Sequence, residues 1–451
     1  METLDSTIVN TALPSMAHSL GASPLLMQSV IIAYSLTLAV LIPASGWIAD
    51  RFGTRRAFLT AILVFTCGSL LCAVSRSLPE LVASRVLQGL GGSMLMPIGR
   101  LAVLRAFPGE KFLAAMGFVT VPALIGPLVG PTLGGWLVEF ASWHWIFLIN
   151  IPIGVAGWIA TRRAMPDLRA EAPARFDLTG FVQLSVGMVT ISLALDGLAE
   201  LGFEASTVML LLITGFSLIA AYGFHASHVP NPLFPLRLFK VRTFTLGLLG
   251  NIFARLGSSG MPFLIPLFFQ VCLGFNPFEA GVLMLPVAIA GIFAKRIATP
   301  LIPRLGYRRV LVGNTFLVGA GIASFASVAP GQSLWLRIPQ LLFFGCVNSL
   351  QFTAMNTLTL KNLKPRDASS GNTLFSMVQM LAMSVAVAAA AALLNAFMKR
   401  IGAEGQSLSA FHATFLCMGA MTVTSSWIFW QLSEEPDAVA AQAVPNIETR
   451  G

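Results

Sequence analysis

The chain has 451 residues, of which 56% are hydrophobic and 10% are charged, whereas an average soluble domain is about 25% charged. This composition excludes an ordinary soluble enzyme and indicates an integral membrane protein. The net charge of +9 does not indicate nucleic-acid binding, because the basic residues fall in short loops between apolar runs, where membrane orientation accounts for them.

The beginning of the chain is predicted to be an incomplete helix. Residues 4–14 read as the far half of a spanning helix whose near half is missing, through a late start or a truncation. Asp5 would then lie inside the membrane, where a carboxyl group can titrate between conformations. The alternative is that Asp5 caps a helix at the surface. Asn10, in the same run, is a candidate for the substrate cavity.

Thirteen later runs are apolar enough to be spanning helices, each of which needs about 20 residues. These runs are 28–49, 57–75, 80–104, 112–138, 143–161, 178–195, 207–224, 244–270, 280–302, 310–329, 334–358, 373–398 and 410–432. With a complete first helix the chain would have fourteen spans.

Lysine and arginine concentrate in alternate loops, which predicts that those loops are cytoplasmic. They include the two longest, near 162–177 and 225–243, and the polar tail 433–451 lies on the same side. We expect an N-terminal helix bundle at 1–161, central loops with two inserted spans at 162–243, and a C-terminal bundle at 244–432. The chain lacks the G-x-x-x-x-G-K-S/T pattern of a P-loop, so ATP hydrolysis is not expected to drive it.

A basic turn occurs once in each half of the chain. Residues 51–56 read RFGTRR and residues 304–309 read RLGYRR, in both cases between two apolar runs. A repeat of this kind predicts two related helix bundles. The first copy forms part of a charged segment whose candidate functional residues are Gly46, Asp50, Arg51, Gly53, Arg55 and Arg56.

Arg85 and Gln88 lie within the apolar run 80–104. A buried arginine in lipid is costly and normally faces a cavity or a partner. Arg85 is therefore interpreted as a gate for protons or charge, or alternatively as a structural anchor for backbone carbonyls. Gln88 is a candidate for the substrate cavity.

The run 126–135 combines glycines four residues apart with two prolines, and its candidate residues are Gly126, Pro127, Gly130, Pro131, Gly134 and Gly135. The glycine face permits close helix contact, and the prolines favour a kink. We interpret this helix as a sliding contact, although static packing would also explain the glycines.

In the second half, Arg255 precedes a G-S-S-G-M-P sequence, which predicts a discontinuous helix that lines a cavity. Asn348 and Gln379 are further cavity candidates. The five cysteines and five histidines show no metal-ligand spacing, so neither a metal nor a cofactor is predicted.

Five of these segments resemble motifs of the major facilitator superfamily and its fourteen-span drug:proton antiporter family. Residues 46–56 resemble G-x-x-x-D-R-x-G-R-K/R-K/R, with Thr54 where a basic residue is common, and residues 85–92 resemble R-x-x-Q-G-x-G. Residues 126–135 are similar to the antiporter motif G-P-x-x-G-G, and residues 4–14 to L-D-x-T-I-V-N-x-A-L-P. Residues 143–154 resemble W-R-W-x-F-x-I-N-x-P-x-G, with His144 replacing the arginine.

The resemblance implies an all-α integral membrane protein with the major facilitator fold: two six-helix bundles plus two inserted helices. It implies that Asp50 and Arg51 belong to a cytoplasmic charge latch, that Arg85 takes part in proton transfer, and that residues 126–135 shape the contact between the bundles. Pro303 stands where the second loop copy would need its aspartate, so a second latch is in doubt.

The function that follows is proton-coupled export of small molecules by alternating access, as in multidrug efflux. We expect a monomer in a bacterial inner membrane, with lipid, protons and a small molecule as its partners. The excess of deep basic residues, such as Arg85 and Arg255, favours a second hypothesis, export of small organic anions or of metal–carboxylate chelates such as citrate. A third hypothesis is an inactive, truncated membrane protein.

Overall fold

The computed structural model describes residues 1–22, 24–107, 111–170, 175–197, 203–401 and 407–433. Within these ranges the regular secondary structure is entirely helical, as predicted. Among the described residues, ten helical stretches are long and apolar enough to cross a membrane. The chain is therefore built as a multi-pass membrane protein.

The described residues of the first half form eight α-helices: α1 (Glu2–Ile8), α2 (Leu13–Leu20), α3 (Gln28–Phe52), α4 (Thr54–Val74), α5 (Leu78–Ala106), α6 (Lys111–Phe140), α7 (His144–Leu148) and α8 (Asn150–Ala164). A 3-10 segment at Val9–Ala12 joins α1 to α2, so residues 2–20 form one helical run. Helices α3, α4 and α5 pack together, α8 packs on α4, and α1 lies along α6.

In the remainder of the chain, the residues that the structure describes form ten α-helices: α9 (Leu178–Asp196), α10 (Ala205–His228), α11 (Arg242–Ser258), α12 (Met261–Leu273), α13 (Pro277–Val282), α14 (Leu285–Ser324), α15 (Leu334–Lys361), α16 (Ala368–Ile401), α17 (Ser407–Thr424) and α18 (Ser426–Trp430). Eleven of the thirteen apolar runs coincide with one helix or with two helices end to end, whereas the runs 280–302 and 310–329 share α14, whose backbone is non-helical at Gly306. Residues 434–451, most of the predicted tail, lie outside the described residues.

Helices α9 and α10 pack against each other, and α9 also contacts α3 and α16. Helix α10 turns large apolar side chains such as Met209, Leu210 and Phe216 outward, with 60–65% of their surface exposed. An outward apolar face is stable where the surroundings are lipid. The pair therefore covers the seam between the halves from its outer side.

The two halves meet along two helices. Helix α16 of the second half packs on α3 and α5 of the first, and α6 of the first half packs on α13, α14 and α15 of the second. The second half has its own aromatic core, in which Phe268, Phe325 and Phe415 are buried. Each half therefore has internal packing, and two helices form most of the contact between them.

The repeated basic turn has the same backbone conformation in both copies. Gly53 has φ 93° and ψ 146°, and Gly306 has φ 78° and ψ 156°. Residues other than glycine are strained at such positive φ values. The predicted glycine-centred turn is confirmed in each half, which supports the relation between the two bundles.

The predicted helix break after Arg255 is present, whereas the cavity that this segment was expected to line stays a prediction. Helix α11 ends at Ser258 and α12 begins at Met261, within one apolar run. Gly257 lies directly against Thr422 of α17, and Gly260 against Ala390 of α16. Because glycine has no side chain, this segment can approach α16 and α17 closely. The helix break begins directly after Ser258, three residues beyond Arg255.

Candidate functional site

Asp5 and Arg85 form an ion pair in the interior of the first half. Arg85 Nη1 lies 2.5 Å from Asp5 Oδ2, and the two side chains are 1% and 0% exposed. Asp5 lies on α1 and Arg85 on α5. Because a buried charge is stable only with a partner of opposite sign, each group holds the other in place. The two residues predicted for proton coupling therefore lie together.

Two amide side chains complete the surroundings of the Asp5 carboxylate. Gln88 Nε2 and Asn150 Nδ2 both donate to Asp5 Oδ1, at 2.8 and 3.0 Å. Gln88 also donates to Ser69 Oγ at 2.7 Å and accepts from Arg85 Nη1 at 2.6 Å. Gln88, predicted for the substrate cavity, thus belongs to the Asp5 network. The sequence analysis gave Asn150 no role, although an amide within the apolar run 143–161 was a signal that it needs a buried partner.

The guanidinium of Arg85 is held by more than its carboxylate. It lies 4.2 Å from the centre of the Tyr34 ring, and its Nε donates to the Val30 carbonyl at 3.2 Å. A ring face attracts a cation, most strongly where water is excluded. One backbone carbonyl and one aromatic ring, both of α3, therefore orient Arg85 towards α1.

Glycines next to Arg85 explain how three helices come so close. Gly91 lies against the backbone of Phe65 on α4, and Gly89 lies against Thr37 on α3. A β-carbon at either position would collide with these atoms. The glycines of the segment 85–92 thus allow α5 to fit between α3 and α4, with Arg85 and Gln88 one turn apart on the same face.

The glycines of α6 pack on α1 and the 3-10 segment that follows it, and not, as predicted, against the other bundle. Gly126, Gly130 and Gly134 lie against Thr3, Thr7 and Thr11, three threonines with the same spacing of four. The second half is contacted by other residues of α6, including Thr132, which lies against Gly281. Helix α6 is thus the layer between α1 and the second half. The side chains of Pro127 and Pro131 lie outside the described part, and Gly135 has open space around it.

The charged turn at 46–56 contacts both halves. Gly46 lies against Ser369 and Thr373 of α16, where a side chain would not fit. Asp50 pairs with Arg105 at the end of α5, at 2.5 Å, which keeps this ion pair within the first half. The side chains of Arg51 and Arg56 are exposed and that of Arg55 is partly buried. The contact across the seam thus depends on Gly46, and the charge latch stays a prediction.

Thr54, the departure from the family pattern, binds the segment 165–170 across the turn. Its N–H donates to the Leu168 carbonyl at 3.0 Å, and its Oγ1 donates to the Pro166 carbonyl and accepts from Leu168 N–H, both at 3.1 Å. Asp167 in this segment lies over Gly53 and pairs with Arg169 at 3.2 Å. Thr54 therefore supplies hydrogen bonds that a basic side chain would not place there.

We expect Thr54→Val to loosen this segment. Removing Oγ1 leaves the partly buried Leu168 N–H without its acceptor, which costs up to about 1–3 kcal/mol. Hydrogen exchange at 165–170 should accelerate and the thermal midpoint should fall. Thr190→Val is the matched control, because the Thr190 hydroxyl donates to carbonyls of its own helix, those of Val186 and Gly187. Equal protection of 165–170 in wild type and Thr54→Val would contradict this role.

Arg255 and Arg100 are buried on opposite sides of the seam. Arg255, which was predicted to line the cavity, lies on α11 and is 3% exposed. Its Nε donates a hydrogen bond to Asn251 Oδ1 at 2.9 Å. Arg100, which the sequence analysis did not single out, lies on α5, is 2% exposed, and donates to Gln379 Oε1 of α16 at 2.9 Å. Gln379 thus contacts the first half. The sequence did contain a sign that Arg100 is buried, because this arginine lies inside the apolar run 80–104.

The remaining cavity candidates are less informative. Asn348 lies partly buried on α15. Asn10 lies in the 3-10 segment between α1 and α2, and its side chain is outside the described part. Among the described residues no group of histidine, cysteine, aspartate or glutamate could hold a metal ion. The site is therefore built from two arginine-centred clusters, one around Asp5 and one at the seam.

Comparison with known proteins identifies the class. The family model described as "Major Facilitator Superfamily" matches residues 1–387. The chain therefore belongs to the Major Facilitator Superfamily, a family of membrane transporters. Two solved structures have the same fold. The human organic anion transporter MFSD10 matches with a TM-score of 0.65 and 15% identity, covering 92% of this chain and 88% of MFSD10. The proton:xylose symporter XylE matches with a TM-score of 0.58 and 15% identity, covering 96% of this chain and 92% of XylE.

Curated relatives are similar over nearly the whole chain. A protein of Serratia proteamaculans (strain 568) is 51% identical over 432 residues, covering 95% of this chain and 90% of that protein. A protein of Yersinia enterocolitica is 50% identical over 432 residues, covering 95% and 92%. Both carry the name "Putative multidrug resistance protein MdtD".

Proposed function

We propose that this protein is a secondary transporter that exports small molecules in exchange for protons, and that the Asp5–Arg85 pair carries the proton. The observation that carries the proposal is the fully buried Asp5 carboxylate, which Arg85 neutralises and two amides orient. The name of the curated relatives supports efflux of the multidrug type.

We propose that the proton binds to Oδ2 of Asp5. Asp5 Oδ1 already accepts two N–H groups, from Gln88 and Asn150, whereas the described donor to Oδ2 is Arg85. A proton on Oδ2 would point at the Arg85 N–H, and it would remove the negative charge of Asp5 that holds Arg85 in place. Proton binding therefore separates α1 from α5. This gives the proton a differential interaction with two conformations, as coupling requires.

Helix α1 can pass this movement to the second half through α6. The threonine face of α1 fits the glycine face of α6, and α6 in turn contacts α13, α14 and α15. A shift of α1 relative to α5 would move α6 against the second half. We propose alternating access in which release of the Asp5–Arg85 pair and rearrangement along α6 occur together.

Location and orientation follow from sequence and family. Bacterial relatives and the alternation of Lys and Arg loops support an inner-membrane protein with its long loops and C-terminal tail in the cytoplasm. The contact pattern supports bundles at 1–161 and 244–432 joined by an inserted pair of helices. A single chain contains both bundles, which supports function as a monomer.

Transport by the purified full chain in proteoliposomes tests the proposal. With an imposed pH gradient, we expect uptake of a lipophilic cationic dye or of succinate to depend on the gradient and to stop when nigericin collapses it. Uptake that continues unchanged after collapse would exclude proton coupling. Failure of the gradient to drive uptake of either probe, in a chain that remains folded, would contradict the proposal and favour the inactive-protein hypothesis.

A further inference from the structure

Helices α4 and α8 pack against each other and carry an apolar outer face. On α4, Leu63 and Leu70 are 57% and 46% exposed, and on α8, Val155 and Ile159 are 53% and 41% exposed. Large apolar side chains are stable on the outside of a membrane protein because acyl chains cover them. This face is therefore a lipid-facing surface.

On both helices the apolar face ends in an arginine. Arg56 lies seven residues before Leu63, which is two helical turns, and its side chain is 71% exposed. Arg163 lies four residues after Ile159, one turn further along α8, and it is also exposed. Residues that are one or two turns apart share a helix face. The outer surface of each helix thus changes from apolar to basic.

Hydrogen bonds hold these two arginines at the same end of the helix pair. Thr54, the first residue of α4, donates to the Pro166 carbonyl and accepts from the Leu168 N–H, both at 3.1 Å. Arg56 follows Thr54 by two residues, and Arg163 precedes Pro166 by three. The beginning of α4 and the end of α8 are therefore joined, and their arginines lie on one surface.

Five arginines from these segments form a surface that we call the basic patch: Arg55, Arg56, Arg162, Arg163 and Arg169. The segments 54–56 and 162–170 contain one acidic residue, Asp167. Its Oδ2 lies 3.2 Å from Arg169 Nη2 and 3.8 Å from Arg56 Nε, so it holds these two side chains next to each other. One carboxylate offsets one positive charge, and the basic patch keeps an excess of positive charge.

An aromatic side chain marks the depth of the basic patch. The Arg162 guanidinium lies 5.3 Å from the centre of the Trp158 ring, one turn earlier on α8. Tryptophan is enriched at the boundary between acyl chains and headgroups, and the face of its ring attracts a cation. The basic patch thus lies at the level of lipid phosphates.

We propose that the basic patch binds the headgroup of an anionic phospholipid whose acyl chains cover the outer face of α4 and α8. Arginine suits phosphate because its planar fork donates paired hydrogen bonds to phosphate oxygens. The arginines belong to two helices and to the segment 165–170, so a lipid with two phosphates, such as diphosphatidylglycerol, contacts more of them than a lipid with one. The inference is independent of the proposed export function, because lipid binding needs no gradient.

A second basic pair separates this proposal from the general effect of charge on membrane orientation. Lys399 and Arg400 are exposed in the last turn of α16, as Arg162 and Arg163 are in the last turn of α8. The alternation of basic loops predicts that the α16 pair lies on the opposite side of the membrane. The two pairs carry equal charge, so they form a matched comparison.

Titration of the detergent-purified full-length protein with lipids, followed by native mass spectrometry and thermal shift, tests the site. We expect diphosphatidylglycerol to bind at least about tenfold more tightly than phosphatidylcholine, with phosphatidylglycerol between them, because each arginine near a lipid headgroup adds to the attraction. High salt should reduce the difference. Equal binding of phosphatidylcholine and the two anionic lipids would overturn the proposal.

Variants then assign the residues. Arg162→Gln with Arg163→Gln should weaken diphosphatidylglycerol binding by about 10- to 30-fold, and Arg56→Gln by about fivefold. Lys399→Gln with Arg400→Gln should leave it unchanged. Equal losses in the two double variants would overturn the assignment to the basic patch. These side chains are exposed, so the thermal midpoint without added lipid should match that of wild type.

Two soluble probes distinguish a lipid from other phosphate compounds. Inorganic phosphate and glycerol 1,3-bisphosphate, which is the headgroup of diphosphatidylglycerol without acyl chains, cannot cover the apolar face. We therefore expect both to bind far more weakly than the lipid. Glycerol 1,3-bisphosphate binding as tightly as diphosphatidylglycerol would overturn the lipid assignment and indicate a site for a soluble phosphate compound.

Discussion

We expect Asp5→Asn to abolish gradient-driven transport and to destabilise the folded protein. Asparagine cannot carry the proton, and it leaves Arg85 as a buried charge without its partner, at a cost of about 3–5 kcal/mol. The expected result is therefore twofold: no response of uptake to an imposed pH gradient, and a lower thermal midpoint. Both are measured on the same proteoliposome preparation.

A double substitution separates the two effects. In Asp5→Asn with Arg85→Gln, neither charge is present, so much of the lost stability should return, because replacing both partners of a buried pair is far less costly than removing one. Transport should stay uncoupled from the gradient. This outcome would distinguish a proton carrier from a residue that only holds the fold together.

Glu204→Gln is the control for Asp5→Asn. Glu204 is exposed at the start of α10, away from the interior, so neither transport nor stability should change. Full gradient dependence in a well-folded Asp5→Asn protein would refute the role of Asp5. In that case Glu2, the other acidic residue of α1, becomes the next candidate.

Gly130→Ala is expected to have the second-largest effect. A β-carbon at residue 130 of α6 would collide with Thr7 Oγ1 and come within 3.2 Å of the Ile8 backbone nitrogen. Overpacking of this kind costs about 1–3 kcal/mol. Because α1 carries Asp5, the displaced helix would also misalign the ion pair. We expect a lower thermal midpoint and a marked loss of transport.

Gly135→Ala is a control from the same motif, since a β-carbon at residue 135 meets no atom within 4 Å. It should behave as wild type. Thr7→Ala removes the atom closest to the added carbon and should partly restore Gly130→Ala. Wild-type transport by Gly130→Ala, or no rescue by Thr7→Ala, would show that the fit between α1 and α6 is not what the glycine provides.

Motif spacing predicted much of the candidate site. A glycine with charged neighbours in a short loop between apolar runs indicated the turn at Gly53 and its repeat at Gly306, because only glycine tolerates the positive φ that both adopt. The helix break after Arg255 was predictable for a similar local reason. These features depend on a few consecutive residues.

Contacts between distant segments were harder to predict. The glycines of α6 indicated close packing but not the partner, and the structure shows α1 where the other bundle was expected. Arg100 was missed because an arginine near a predicted helix end is usually solvated, and only packing against α16 reveals that it is buried. Asn150 was missed because its partner, Asp5, is 145 residues away.

The sequence by itself determined that this is a helical membrane protein with two related halves, because the hydropathy of each run and the basic turn are properties of consecutive residues. The tertiary structure alone decided which charges are neutralised. Arg85 meets Asp5, whereas Arg255 meets no carboxylate in the described part of the chain. Electrostatic energy depends on distances in space, and those are set only when helices from different parts of the chain pack together.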